Sequence, residues 1–205
     1  MPAARMNKSV GLAVTAVSAS VLIAQWAARD AAARPAPSAV ERGRYLVQSF
    51  GCNDCHTPMK LDAKLGMPVP DRERFLSGHP AGAAAPGALP PGSLMLVGET
   101  GTSFRLPFGV VYAANLTPDA SGIEGWSEEM FVNAMRQGRH MGGTGRPIYP
   151  PMPWPALRNL RDGDLKAIYA FLRTIPPVRN EVPDVAVAPP AEAAIIHLND
   201  AIARN

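Results

Sequence analysis

Both cysteines of the chain fall within one pentapeptide, Cys52-Asn53-Asp54-Cys55-His56. On a helical turn, cysteines at i and i+3 point the same way, so two sulfurs can reach the two vinyl groups of one porphyrin and form thioether bonds. The next residue then faces the iron, and His56 offers an imidazole nitrogen as the proximal ligand. Cys-x-x-Cys-His is the spacing of c-type haem attachment. A fold that must close around so large a flat group is constrained by that requirement before any other. The expected cofactor is one covalent haem c with its iron, bound through Cys52 and Cys55.

Other readings of the pentapeptide fit less well. A thioredoxin-type Cys-x-x-Cys sits at a strand-to-helix junction among alternating strands and helices, and no such run of apolar strands is visible. A structural zinc site needs four ligands, and only scattered histidines remain beyond the motif. A disulfide between residues three apart would close a very short loop, constrain little, and leave His56 unexplained.

The flanking composition is unusual for a helical or sheet protein, with 22 prolines and 18 glycines in 205 residues. Long irregular connections are therefore expected. At the N-terminus, Arg5 and Lys8 precede an apolar stretch from Val10 to about Trp26, followed by Arg29, Asp30 and small alanines. Residues 1–33 read as an export segment, either a cleaved signal peptide or a membrane anchor. Without them three basic and one acidic side chain disappear, leaving 17 basic and 16 acidic. The basic balance of the whole chain thus largely reflects its leader, no block of like charge follows, and no nucleic-acid partner is expected.

Residues 34–178 read as the haem-carrying domain and 179–205 as a C-terminal extension. Ser38 with Glu41 three residues later is a capping box, predicting a helix from Ala39 to about Phe50. Gly43 weakens that helix unless another element packs against it closely. Residues 57–114 lack sustained periodicity and read as a long wrapping loop covering one haem face, with short strands near Leu94–Val97 and Gly109–Ala113. Ser127 followed by two glutamates predicts a second helix ending at Gly138. A third is predicted from Asp162 to about Thr174, with Leu165, Ile168, Tyr169 and Leu172 at helical spacing before Pro176-Pro177. A short terminal helix is expected near Glu192–Ala203.

Met152 is the expected distal iron ligand. It lies in Pro150-Pro151-Met152-Pro153, a rigid extended segment that can present a thioether without helical constraint. Met141, Met59 and His140 are the next candidates, whereas His79 and His197 read as surface residues and Met130 and Met135 as packing. Trp126, Tyr149 and Trp154 suit either core packing or haem lining. Asn115-Leu116-Thr117 spells a glycosylation sequon and is read as coincidence.

The order helix, Cys-x-x-Cys-His, long loop, helix, Pro-Met-Pro, helix resembles the class I c-type cytochromes. More narrowly, Asn115-Leu116-Thr117-Pro118-Asp119, Gly122-Ile123, Gly125-Trp126 and Tyr149-Pro150-Pro151-Met152-Pro153-Trp154 resemble single haem domains of cytochrome c subunits of periplasmic alcohol and aldehyde dehydrogenases. The resemblance spans roughly residues 40–178. It implies an all-α, cytochrome c-like fold with helices wrapped around one haem, and axial ligation by His56 and Met152. The departures are a single attachment motif, where those subunits usually carry several, and Arg161 in place of a small hydroxyl cap.

Two function classes follow. One is a non-enzymatic, exported electron carrier, periplasmic or anchored to the inner membrane by its N-terminal segment, exchanging electrons with a dehydrogenase and with an oxidase or another cytochrome. The other is a haem enzyme or small-ligand sensor with a labile sixth position. A firm methionine ligand discriminates between them, and the carrier is the expectation.

Overall fold

The first described helix, α1 (Ala39–Ser49), begins where its sequence says it should. Ser38 Oγ accepts from the Glu41 N–H at 3.2 Å while the Glu41 carboxylate accepts from the Ser38 N–H at 2.8 Å, so two orphan donors of the first turn are satisfied reciprocally. The structure, a computed structural model, describes residues 36–204; the signal peptide or anchor expected at 1–33 lies outside the described residues. Among these residues no helix is long and apolar enough to cross a membrane.

Five further helices follow: α2 (Cys52–His56), α3 (Glu128–Gln137), α4 (Trp154–Leu157), α5 (Asp162–Leu172) and α6 (Pro189–Arg204). The main core forms where α1, α3 and α5 bury Leu46, Val47, Phe131, Ala134, Leu165, Ile168 and Leu172 against one another. Gly43 is the crossing point of α1 and α5. A Cβ there would lie 1.9 Å from the Ala167 carbonyl oxygen and 2.8 Å from Phe171 Cβ, so the two backbones meet with no room for a methyl group. Arg42 Nε donates to Asp164 Oδ1 at 2.9 Å beside the crossing. Arg161 leaves α5 without a side-chain cap, and Asp162 and Asp164 in the first turn complement the helix dipole instead.

The all-α expectation is wrong. Residues 59–112 and 186–187 contain two antiparallel sheets, and the fold is mixed α/β. Strands β1 (Met59–Asp62) and β2 (Met67–Pro70) form a hairpin. Strands β3 (Leu96–Val97), β4 (Ser103–Leu106), β5 (Gly109–Tyr112) and β6 (Ala186–Val187) form a four-stranded sheet in that order. Each strand has two to four residues, too few to show an alternating period, and Pro68 and Pro70 read as breakers although an edge strand tolerates them. The strands expected near residues 94–97 and 109–113 are present, while β1, β2 and β4 had no signal of their own.

A second small core forms on this sheet. Val111 of β5, Ile195 of α6 and Tyr149 are buried together, with Leu106, Phe108, Val185 and Val187 at their margin. The close β5–β6 approach requires Gly109, whose added Cβ would fall 2.1 Å from the Ala186 carbonyl oxygen.

The α1–α5 crossing yields a direct test. Gly43→Ala improves helix propensity by about 1 kcal/mol, but the new methyl group must displace the Ala167 backbone. A net destabilisation of about 1–3 kcal/mol is expected by overpacking, seen as a thermal midpoint several degrees below wild type. An unchanged or higher midpoint would mean the helices do not meet at Gly43.

Candidate functional site

Gly51 joins α1 to α2 through a single left-handed residue, φ 64° and ψ 31°, a conformation glycine adopts without a Cβ penalty. The Asp54 N–H then bonds to the Gly51 carbonyl at 2.9 Å and the Thr57 N–H to that of Asn53 at 3.0 Å. This turn carries Cys52, Cys55 and His56. Cys52 packs against the main core, and Cys55 is half-buried. Both are free thiols. Burial pushes the Cys52 thiol up to about 11, and burial together with the Asp54 carboxylate raises that of Cys55. A reactive redox thiolate would need the opposite shift. Among the described residues no three His, Cys, Asp or Glu side chains gather as a metal cluster, so the motif's donors do not converge on one point.

His56 is buried, and its Nδ1 lies 2.8 Å from the Ala114 carbonyl oxygen. A carbonyl can only accept, so Nδ1 carries the proton and Nε2 keeps its lone pair. Burial also holds the imidazole below its ordinary pKa. Among the described residues Nε2 has no hydrogen-bond partner. Three segments are stitched together behind the ring. The Gly78 N–H donates to the His56 carbonyl at 2.8 Å, the His79 N–H to Ala113 at 2.9 Å, and the Leu116 N–H to Leu76 at 2.9 Å; Thr57 Oγ accepts from the Leu76 N–H at 2.9 Å. Leu76 is fully buried with φ 58°, a conformation that costs a leucine about 1–2 kcal/mol and is held here by bonds on both sides.

Met152 is partly buried against the same apolar cluster as Cys52, Phe75, Leu116 and Ile148. Its N–H donates to the Tyr149 carbonyl at 3.1 Å. Of the other candidates, Met141 is exposed on the 140–143 turn, and Met59 lies on β1 beside Gly101. His140 packs edge-on against Trp126, ring centroids 4.8 Å apart; burial and the nearby Arg146 push it down to about 4. Trp154 is buried and covers Gly138, where a Cβ would approach its ring to 2.3 Å.

His79 is not a surface residue. It is fully buried, with Nε2 3.3 Å from the Ala83 carbonyl and Nδ1 2.9 Å from Thr102 Oγ1. Of the other groups that tie these segments together, Ala114 and Asn180 carried no sequence signal and Asn115 stood out only as part of the Asn115–Asp119 run. Ala114 acts through its backbone. Asn180 uses its whole amide, donating to Ser77 and His79 carbonyls at 2.6 and 2.9 Å and accepting from Arg74 and the Ala81 N–H. The Asn115 amide is likewise committed, donating to the Val178 carbonyl at 2.9 Å and accepting from Thr117. An open surface cavity lined by Arg74, Ala81, Arg179 and Glu181 involves none of the four expected site residues.

No family model matches the chain. Over 145 residues, 70% of its length, it is 33% identical to a nicotinate dehydrogenase subunit of Pseudomonas putida. It is 29% identical over 151 residues, 72% of its length, to the cytochrome c subunit of the quinone alcohol dehydrogenase of Gluconobacter oxydans. With the fructose dehydrogenase cytochrome subunit of Gluconobacter japonicus it shares 28% identity over 169 residues, 80% of its length. The chain is a relative of dehydrogenase cytochrome c subunits. It spans only 9% of the first of these relatives, 24% of the second and 28% of the third. Two of these relatives are by name cytochrome subunits of dehydrogenases.

The depressed His140 pKa makes a stability prediction. The unfolded chain protonates near 6.5 and the folded chain near 4, so the stabilisation is complete above pH 6.5 and is lost as pH falls towards 4. At ~1.4 kcal/mol per pKa unit the loss approaches roughly 3 kcal/mol. Thermal denaturation across this range should show a steeper decline for wild type than for His140→Gln. Parallel declines would mean His140 is not held neutral by the fold.

Proposed function

We propose that the chain is a mono-haem c-type cytochrome, exported to the periplasm, that passes single electrons between a dehydrogenase and the respiratory chain without catalysis of its own. The observation that carries this reading is the His56–Ala114 bond. It leaves Nε2 as the ligating nitrogen on the turn where two free thiols stand three residues apart. The residues present fit the group: protonated, half-buried thiols for vinyl addition, a neutral imidazole of fixed tautomer, and a thioether on the same apolar cluster.

Cys52 and Cys55 would hold the haem through thioether bonds, each thiol supplying both the sulfur and the hydrogen that a vinyl group takes up, so attachment would need no oxidant. Bound haem supplies a one-electron ferric/ferrous couple. The Ala114 carbonyl orients the His56 ring and increases its basicity through the Nδ1 proton. Met152 would hold the iron through its thioether, a ligand that raises the potential relative to a second histidine. Met152 packs on the same apolar cluster as Phe75, Leu76, Leu116 and Ile148. A dehydrogenase as electron donor is supported by the relatives whose names identify them as its cytochrome subunits.

Protein produced with haem-attachment machinery should keep one haem per chain through acid–acetone extraction, its mass exceeding that of the polypeptide by one haem. The ferric form should show the weak far-red sulfur-to-iron charge-transfer band, and Met152→Ala should abolish it, lower the potential and admit carbon monoxide to the reduced protein. A mass equal to the bare polypeptide would refute the cofactor. Ready carbon monoxide binding or rapid peroxide turnover by wild type would refute the carrier and favour a haem enzyme or sensor.

A further inference from the structure

The terminal helix α6 has no role in the reading above, yet it holds the chain on both sides of Met152. On the N-terminal side, Asn199 is buried, and its amide donates to the Gly138 carbonyl at 2.8 Å and to the Ile148 carbonyl at 3.1 Å. These carbonyls stand at the two ends of one loop, already joined by the Ile148 N–H to Gly138 bond of 2.7 Å. Asn199 therefore fastens the loop stem from a third direction. Seven residues earlier, Glu192 accepts from the Tyr149 hydroxyl at 2.8 Å, and Ile195 between them packs on the Tyr149 ring. Positions 192, 195 and 199 fall on one helical face. Arg139 extends the attachment to Asp200 at 3.2 Å.

Beyond Met152, Arg158 follows α4 and donates to the last carbonyls of α6, those of Ile202 and Ala203. These carbonyls lack helical partners, so the guanidinium caps the helix while tethering the chain. The strand that leads into α6, β6, is bound to β5 of the sheet. Tyr149, three residues before Met152 and bonded to it through the backbone at 3.1 Å, thus sits between the sheet and α6.

We infer that α6 is a strap on the methionine segment, with Asn199 and Glu192 as positioning residues that determine how firmly Met152 presents its sulfur to the iron. The inference rests on the proposed Met152 ligation. A methionine held only by its flanking prolines could swing away when the loop opens. With the loop stem, Tyr149 and Arg158 all fastened to one helix, opening must break several bonds at once.

Imidazole titration of the full-length ferric holoprotein tests the strap, because imidazole competes with the thioether sulfur for iron. Asn199→Leu keeps the side-chain branching and removes both donors, and Tyr149→Phe removes only the hydroxyl. Each should bind imidazole about tenfold more tightly than wild type, the equivalent of ~1.4 kcal/mol, and should lose the far-red band at lower temperature. Tyr149→Phe keeps the ring and so serves if Asn199→Leu folds poorly. Gly43→Ala, destabilised at the α1–α5 crossing rather than in the α6 attachments, is the control and should bind imidazole as wild type does below its own unfolding transition. Unchanged imidazole affinity in both strap variants, or an equal rise in Gly43→Ala, would overturn the inference. Failure of the underlying ligation looks different: a wild-type far-red band that is absent, or that persists in Met152→Ala.

Discussion

The hydrogen bond from His56 to the Ala114 carbonyl organises most of what lies around it. Its partners are 58 residues apart in sequence, so everything between them must leave the motif and return to it. A structureless loop of that length is uncommon in a compact domain, because its backbone donors and acceptors would go unpaired. The chain meets this demand with short antiparallel pairings. The β1–β2 hairpin leaves directly from the motif, and β4–β5 returns to it at Ala113, whose N–H bonds to the Thr102 carbonyl at 2.9 Å. The sheets are the consequence of pinning a long segment at both ends.

That origin explains what could and could not be read beforehand. The Ser38–Glu41 box, the Ser127 cap, the Gly138 stop and the spacing of Leu165, Ile168 and Leu172 are local signals, and each marks its helix correctly to within a few residues. Gly43 was legible as a point of close approach because a mid-helix glycine needs a reason. Most of the strands gave nothing comparable. They form because their partners are brought near, and a four-residue pairing such as Met59–Asp62 with Met67–Pro70 is too short to show a period. The all-α expectation failed there because it was carried by the order of helices alone.

The candidate site divides along the same line. The residues proposed to act through their side chains, Cys52, Cys55, His56 and Met152, stand out by type and spacing. Residues that hold those four in place do not. Ala114 contributes a carbonyl, which any residue could offer. Asn180 and Asn199 each bridge stretches of chain tens of residues away, and an isolated asparagine in sequence reads as a turn residue. His79 misled for a related reason. A histidine between glycine and proline suggests a surface turn, yet Thr102 and Ala83 satisfy both of its ring nitrogens in the interior.

Two cores with different tasks result. The helical core, joined across Gly43 and Ala167, is large and closely packed, and it supplies the side of the site that carries Cys52. The smaller core of Val111, Tyr149 and Ile195 is too slight to stand alone, yet it is assembled from the sheet, the methionine segment and the terminal helix together. Its loss would leave the helical core intact while loosening the residues before Met152. An axial thioether needs such separate support, because sulfur is a weak, neutral ligand that cannot hold its own loop in place. The histidine side needs less, since covalent attachment through the neighbouring cysteines would fix it. An asymmetry between a covalently anchored proximal turn and a strapped distal segment, as proposed, would follow from the strengths of the bonds each side can make.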